Sequence, residues 1–313
     1  MVPPEAPSVA PLGPSPNRHR ATAIGFTAIV LWGCLALFTT WTGTVPPFQL
    51  TAMSFTVAFL LMAGKWLWTG DKPLRHLRQP VGAWVLGVAG LFGYHFFYFL
   101  ALRSAPPVHA GLIAYLWPLL IVVFSALLPG EKLRLVHILG ALMGLAGTVL
   151  LVTDGGAEGF DARYLVGYGV ALICALTWSS YSVLSRRFGS VPTDAVGWFC
   201  GATALLSIPC HLLFEQTQWP QGGGEWLAVL GLGLGPVGVA FFTWDHGVKH
   251  GDIQVLGALS YSAPLISTLL LLLAGQGEPS LVIALACLMI VGGAVVASWS
   301  LFRQLVRGKG VGA

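Results

Sequence analysis

The run GLIAYLWPL, Gly111–Leu119, returns in outline as GALSYSAPL, Gly257–Leu265. Tyr115 and Pro118 of the first run stand 146 residues from Tyr261 and Pro264 of the second. The same offset joins Trp32, in AIVLWG, to Trp178, in ICALTWS, and Arg103 to Lys249. One offset held over distant anchors marks an internal repeat. What the repeat unit is depends on the solvent around it, and composition supplies that.

The chain has 313 residues, of which 56% are hydrophobic and only 9% charged; its mean hydropathy is +0.78. Soluble domains carry about 25% charged residues, so this chain cannot cover a water-facing surface. A membrane-spanning helix needs about 20 mostly apolar residues. Ten such segments are present: Ala21–Trp41, Phe48–Trp68, Val81–Leu102, Val108–Leu128, Val136–Thr153, Tyr164–Ser185, Ala195–Phe214, Trp226–Val248, Ile253–Ala274 and Leu281–Leu301. The fold class is therefore an all-α integral membrane protein of ten transmembrane helices. Each repeat holds five spans. An odd number turns the second copy over, giving two inverted five-helix repeats, 21–153 and 164–302, about an axis in the membrane plane. Residues 1–20, rich in proline and small residues, read as a disordered tail and 303–313 as a second tail. The opening does not resemble a signal peptide.

Counting from an inside N-terminus, fourteen of the sixteen Lys and Arg residues fall on the inside; only Arg103 and Arg163 fall outside. The positive-inside rule then places both termini in the cytoplasm. The net charge of +4 thus reports topology, and nucleic acid is no expected partner. Trp41, Trp66, Trp68, Trp84, Trp219, Trp226 and Trp299 lie near span ends, where indoles anchor at the interface. The five cysteines all fall within spans with no C-x-x-C spacing and read as small core residues.

The third span, FGYHFFYFLAL, buries a histidine among aromatics. Tyr94, His95 and Tyr98 share one arc of about 100° on a helix. A polar ring is costly in hydrocarbon and faces protein or a water-filled cavity, so His95 is expected to line a pathway. Gly87 and Gly90 on the Tyr94 side admit a close neighbour, and Gly140/Gly144 and Gly231/Gly235 read as close-packing sites. Pro118 removes a hydrogen bond to Ala114 and kinks the fourth span; Pro264 does the same beside Ser260 and Tyr261. Tyr115 and Trp117 point about 200° apart on an undistorted helix, so they share a cavity only if the kink turns them. Trp178 and Tyr181 add aromatic surface from the sixth span. The candidate binding residues are Tyr94, His95, Tyr98, Tyr115, Trp117, Trp178, Tyr181, Ser260 and Tyr261, with Pro118 and Pro264 as kinks. Asp245 and His246 read as a polar pair at a helix end.

The ten spans, the five-plus-five repeat and AGLIAYLWPLLIVVFSALLPGEKL resemble the EamA-type drug/metabolite transporter superfamily. The Y-x-x-P of the fourth and ninth spans and the Gly-Glu after each (Gly130–Glu131, Gly277–Glu278) carry that resemblance. GYHFFYFLAL followed by AYLWPL is most similar to the YddG-type aromatic amino acid exporters. The resemblance implies a multi-pass protein of the bacterial inner membrane, exporting aromatic and other apolar amino acids.

Absences narrow the reading. The first span holds no carboxylate of the kind a cation–proton exchanger uses. No Lys or Arg sits mid-span, where phosphorylated substrates need a cation. No nucleophile–base pair or catalytic motif is present, so an enzyme is not expected; nor is any metal or other cofactor. A neutral aromatic cavity suits a small, partly aromatic solute. The expected partners are that solute and the lipid bilayer, and the expected state is a monomer. Export of another uncharged metabolite or drug, a channel-like pore and a non-transporting sensor stay open at this point. The driving force is also open, with facilitated diffusion expected ahead of proton exchange at His95.

Overall fold

The computed structural model describes residues 16–156, 161–275 and 278–308. Among the described residues, ten helical segments are long and apolar enough to cross a membrane: α1 (Asn17–Trp41), α2 (Pro47–Thr69), α3 (Val81–Ser104), α4 (Pro107–Ser125), α5 (Leu135–Val152), α6 (Ala162–Phe188), α7 (Ala195–Phe214), α8 (Gly223–His250), α9 (Ile253–Leu273) and α10 (Leu281–Trp299). Among the described residues there is no strand, as a bilayer requires of an open chain whose backbone must satisfy itself. The first helix begins at Pro16, so Arg18 and Arg20, expected in the tail, stand on a helix. Residues 1–15 and 309–313, and Gly277 of the second Gly-Glu pair, lie outside the described residues.

The packing obeys the repeat. Helix α2 packs on α7 and α5 on α10, pairs that the repeat exchanges with themselves; α1 packs on α8 and α3 on α6, pairs that it exchanges with each other. The α5–α10 contact is a backbone approach. A Cβ on Gly140 would meet the Gly293 carbonyl oxygen at 2.5 Å, and one on Gly293 would meet the Gly140 oxygen at the same distance. Glycine is what allows these helices to touch without a gap.

Two local distortions also repeat. Helix α4 breaks at Tyr115–Leu116, between Pro107–Ala114 and Trp117–Ser125. Helix α9 breaks between Ile253–Leu259 and Ser262–Leu273. Each break precedes a proline that has no N–H for the carbonyl four residues back. The second distortion is absent from the sequence reading: α3 carries a π-helical stretch at Ala89–Gly93 and α8 one at Gly233–Val239. The latter contains Pro236, which cannot complete an α-helical ladder. Such bulges release backbone groups and concentrate at functional sites.

The tryptophans divide. Trp41, Trp68, Trp219, Trp226 and Trp299 are exposed, as interface anchors would be. Trp66 is 1% exposed; its ring stacks on His76 and Trp198, so it is a core residue and not an anchor.

Candidate functional site

A cavity of about 510 Å³ opens between the two halves. Helix α3 lines it with Tyr94, His95, Tyr98 and Phe99, α4 with Tyr115 and Trp117, α6 with Trp178, and α8 with Pro236 and Phe241. Helices α1 and α2 add Trp32, Thr39, Thr51 and Phe55; α9 adds Ala263 and Ser267. No lining residue carries a formal charge at neutral pH. The wall reaches Val45 in the turn between α1 and α2 and Pro47 at the start of α2, on the membrane face opposite Arg18.

The break in α4 explains how Tyr115 and Trp117 share this wall. With the chain turning at residues 115–116, the roughly 200° between them on an unbroken helix no longer applies. Tyr94 and Tyr98, one turn apart, lie ring over ring at 6.0 Å and 5°. His95 meets Phe55 edge to face at 5.1 Å. Its Nδ1 lies 2.7 Å from the Leu91 carbonyl in the π-helical stretch. A carbonyl only accepts, so Nδ1 carries the proton and the neutral ring offers Nε2 as an acceptor. Together with the tyrosine hydroxyls, this is the polar equipment of an otherwise apolar wall.

The floor is aromatic. Trp32 contacts Trp178 at 5.6 Å, Phe241 at 6.0 Å, Trp244 at 5.0 Å and Trp117 at 6.1 Å. Its Nε1 donates to the Pro236 carbonyl at 3.0 Å. Trp244 Nε1 donates to Ser182 at 3.1 Å. Both indole N–H groups are thereby satisfied in a low-dielectric layer.

Three expected site residues stand elsewhere. Tyr181 lies behind the floor, packed on the bare backbone of Gly90, where a Cβ would meet its ring at 2.4 Å. Ser260 is fully buried and donates to the Leu256 carbonyl. Tyr261 is also fully buried; it accepts from the Leu119 backbone N–H at 3.2 Å and so ties the two broken helices together. Pro118 and Pro264 are buried beside the breaks, next to the lining residues Trp117 and Ala263. Phe241 and Trp244 escaped the sequence reading. The signal was present, since they stand 146 residues beyond His95 and Tyr98.

Beneath the floor, on the face that carries Arg18, charges close the molecule. Arg18 reaches Glu131 at 3.1 Å and Asp252 at 3.3 Å. Arg186 pairs with Glu131 and donates to the Val248 and Gly251 carbonyls. Burial would raise the Glu131 carboxyl, but the guanidiniums of Arg186 and Arg18 outweigh it and hold the group below the usual carboxylate value. Asp245 is 3% exposed and pairs with Lys249 at 2.9 Å. That makes it a buried ion-pair partner, where the sequence reading had paired it with His246. The opposite face is held differently: Glu215 accepts from the Phe48 and Gln49 backbone N–H groups at the start of α2, with Arg103 at 3.6 Å.

Among the described residues, one group outside the cavity has metal-ligand spacing, Asp71, His76 and Asp194, with ligand atoms within 4.8 Å of one another. Lys65 Nζ lies 2.5 and 2.6 Å from the two Asp194 oxygens and supplies the positive charge that a metal would bring. The cluster ties the α2–α3 loop to the start of α7.

The profile of the EamA-like transporter family matches residues 20–153 and 165–299. The chain is 59% identical over 283 residues to the aromatic amino acid exporter YddG of Ancylobacter novellus, covering 90% of this chain and 98% of that one. It is 24% identical to the protein of the same name from Escherichia coli, over 90% of this chain and 97% of that one. A solved crystal structure, 59% identical and covering 90% of this chain and 98% of its own, superposes with a TM-score of 0.86. Ten apolar spans in two repeated halves, with each half matching separately, make this chain a multi-pass member of the EamA-like transporter family.

Proposed function

We propose that this chain exports aromatic and other apolar amino acids across the inner membrane, by alternating access between its inverted halves. The observation that carries this reading is the charge-free aromatic cavity between the halves, closed on the Arg18 face and reaching the opposite one. Its volume falls within the roughly 300–1,000 Å³ of small-molecule sites. Each good ring contact contributes about 0.5–1.5 kcal/mol beyond area burial. Two or three such contacts favour Phe, Tyr or Trp over a small polar amino acid by about tenfold to a hundredfold. They do not exclude Leu or Met, so selectivity is broad and affinity weak.

The zwitterionic head is met in the cavity by His95 Nε2 and the hydroxyls of Tyr94, Tyr98 and Tyr115. The bias of basic residues supports placing the Arg18 face in the cytoplasm, which makes the cavity outward-reaching. Counterflow of labelled phenylalanine in proteoliposomes is expected, with Trp and Tyr competing better than Lys or Glu. Competition in the reverse order would sink the substrate assignment. A single cysteine at Ala162 should label from the periplasm; labelling only from the cytoplasm would reverse the sidedness.

A further inference from the structure

The outer cavity holds no charge, yet an amino acid brings two. A second space holds two. Behind the floor, on the Arg18 side, lies a void of about 10 Å³ lined by Tyr181, Ser185, Gly87, Phe199, Asp245 and Lys249. A single aromatic layer divides the two spaces: Trp178 lines the cavity, Tyr181 lines the void, and their ring centroids are 5.2 Å apart. Asp245 and Lys249 face each other at 2.9 Å, with side chains only 3% and 4% exposed. Thr193 donates to Asp245 at 2.7 Å, and Lys249 donates to the Val191 carbonyl at 3.0 Å.

A buried ion pair is weak as a stability device, because desolvation offsets the attraction and an apolar pair of similar volume often does as well. The position of this one is informative. It lines the space directly behind the cavity floor, on the Arg18 face, the side that alternating access would open. We propose that Asp245 and Lys249 form the entry subsite for a zwitterion, in which Lys249 takes the solute carboxylate and Asp245 its ammonium. Tyr181 and Phe199 then receive the ring. The proposal rests on the amino acid reading above.

The exchange is close to balanced: the Asp–Lys contact is given up, and two charge-assisted contacts to the solute replace it. In the present conformation the void has room for about one water, so the subsite forms only as the face opens. The wall that must move is already built for it. Tyr181 and Phe199 rest on Gly90 and Gly87 of α3, in and beside its π-helical stretch. The repeat offers no counterpart at the other end, where Asp245 and Lys249 correspond to Phe99 and Arg103. A zwitterion is therefore bound more tightly when presented at the Arg18 face than at the opposite one.

The test is competition against labelled phenylalanine counterflow in proteoliposomes, with phenylethylamine and 3-phenylpropionate as one-charge competitors. In the wild type, phenylalanine should compete better than either analogue. Lys249→Gln should cut the advantage of phenylalanine over phenylethylamine by about tenfold, and Asp245→Asn its advantage over 3-phenylpropionate by a similar factor. Should either single variant fail to fold, Asp245→Asn with Lys249→Gln leaves no unpaired buried charge and should cut both advantages by about tenfold, leaving only what the outer cavity contributes. Parallel loss for all three compounds, or unchanged advantages, overturns the subsite. Absence of phenylalanine counterflow in the wild type overturns the amino acid reading instead.

Discussion

Helices α3 and α8 are the same element of the repeat, yet they do opposite work. Both carry a π-helical stretch at matching positions, and beyond it His95 corresponds to Phe241, Tyr98 to Trp244, Phe99 to Asp245 and Arg103 to Lys249. Because the copies are inverted, α3 runs toward the open end of the cavity and α8 toward the closed end. Helix α3 therefore presents hydroxyls and an imidazole to the cavity, while α8 presents its floor and, below it, a buried ion pair. The backbone supplies a symmetric carrier. The side chains decide which end is open.

If that asymmetry sets the resting state, the largest effect lies at the closed end. Arg186 joins the end of α6 to Glu131, after α4, and to the Val248 and Gly251 carbonyls at the α8–α9 turn. Its side chain is 15% exposed and that of Glu131 is 11%. Arg186→Gln should cost about 3 kcal/mol of the closed arrangement. The expected readout is a lower thermal midpoint in detergent and new reactivity of a single cysteine at Val248, which is fully buried in the closed state. Unchanged labelling would mean that the latch does not hold the face shut.

A second variant sharpens the comparison within the cavity. His95→Phe makes α3 resemble α8, and phenylalanine counterflow should fall about tenfold, the loss of one hydrogen bond to a charged group. Stability should not fall with it. In Phe241→His, the carbonyl four residues back is Val237, also inside a π-helical stretch. The combined His95→Phe and Phe241→His protein should therefore recover part of the loss. Full activity in His95→Phe alone would remove the imidazole from the pathway.

The spans, the five-plus-five repeat and the family were legible in the sequence, because apolar length and a fixed offset survive divergence. The cavity was legible in part. Tyr94, His95 and Tyr98 follow from one helix face, and Trp178 from its match to Trp32. Ser260 and Tyr261 were misplaced because a proline break turns one flank of a helix inward and buries the other, and periodicity cannot say which. Tyr181 was placed on the right helix but beyond the floor, a distinction of one turn. The π-helical stretches left no reading, since glycine-rich spans also read as ordinary close packing. The latch was beyond reach: Arg18, Glu131, Arg186 and Asp252 are brought together only by the tertiary fold.

The charge of that latch sets a third expectation. The Glu131 carboxyl is held below its ordinary value near 4.5. A depressed carboxyl contributes stability that is fully present above the unfolded value and lost as pH falls through the folded one. The difference in thermal midpoint between wild type and Glu131→Gln should thus stay constant from about pH 8 to 5 and shrink below about 4.5. A difference that shrinks between pH 7 and 6 would assign the latch to another group.

The smallest effect belongs to the open end. Arg103 is the counterpart of Lys249, but its side chain is 45% exposed and sits 3.6 Å from Glu215, where Lys249 is buried at 2.9 Å from Asp245. Glu215 does not depend on it, since two backbone N–H groups and His211 also hold that carboxylate. Glu215 itself is buried, its side chain 2% exposed, but with those other donors in place the half-exposed, solvent-screened Arg103 adds only about 0–1 kcal/mol. Arg103→Gln should therefore move the thermal midpoint little, leave counterflow within about twofold, and lose even that small difference in high salt. A tenfold fall in transport would show that the outer ion pair gates the solute as the inner one does, and the functional asymmetry between α3 and α8 would then be one of degree only.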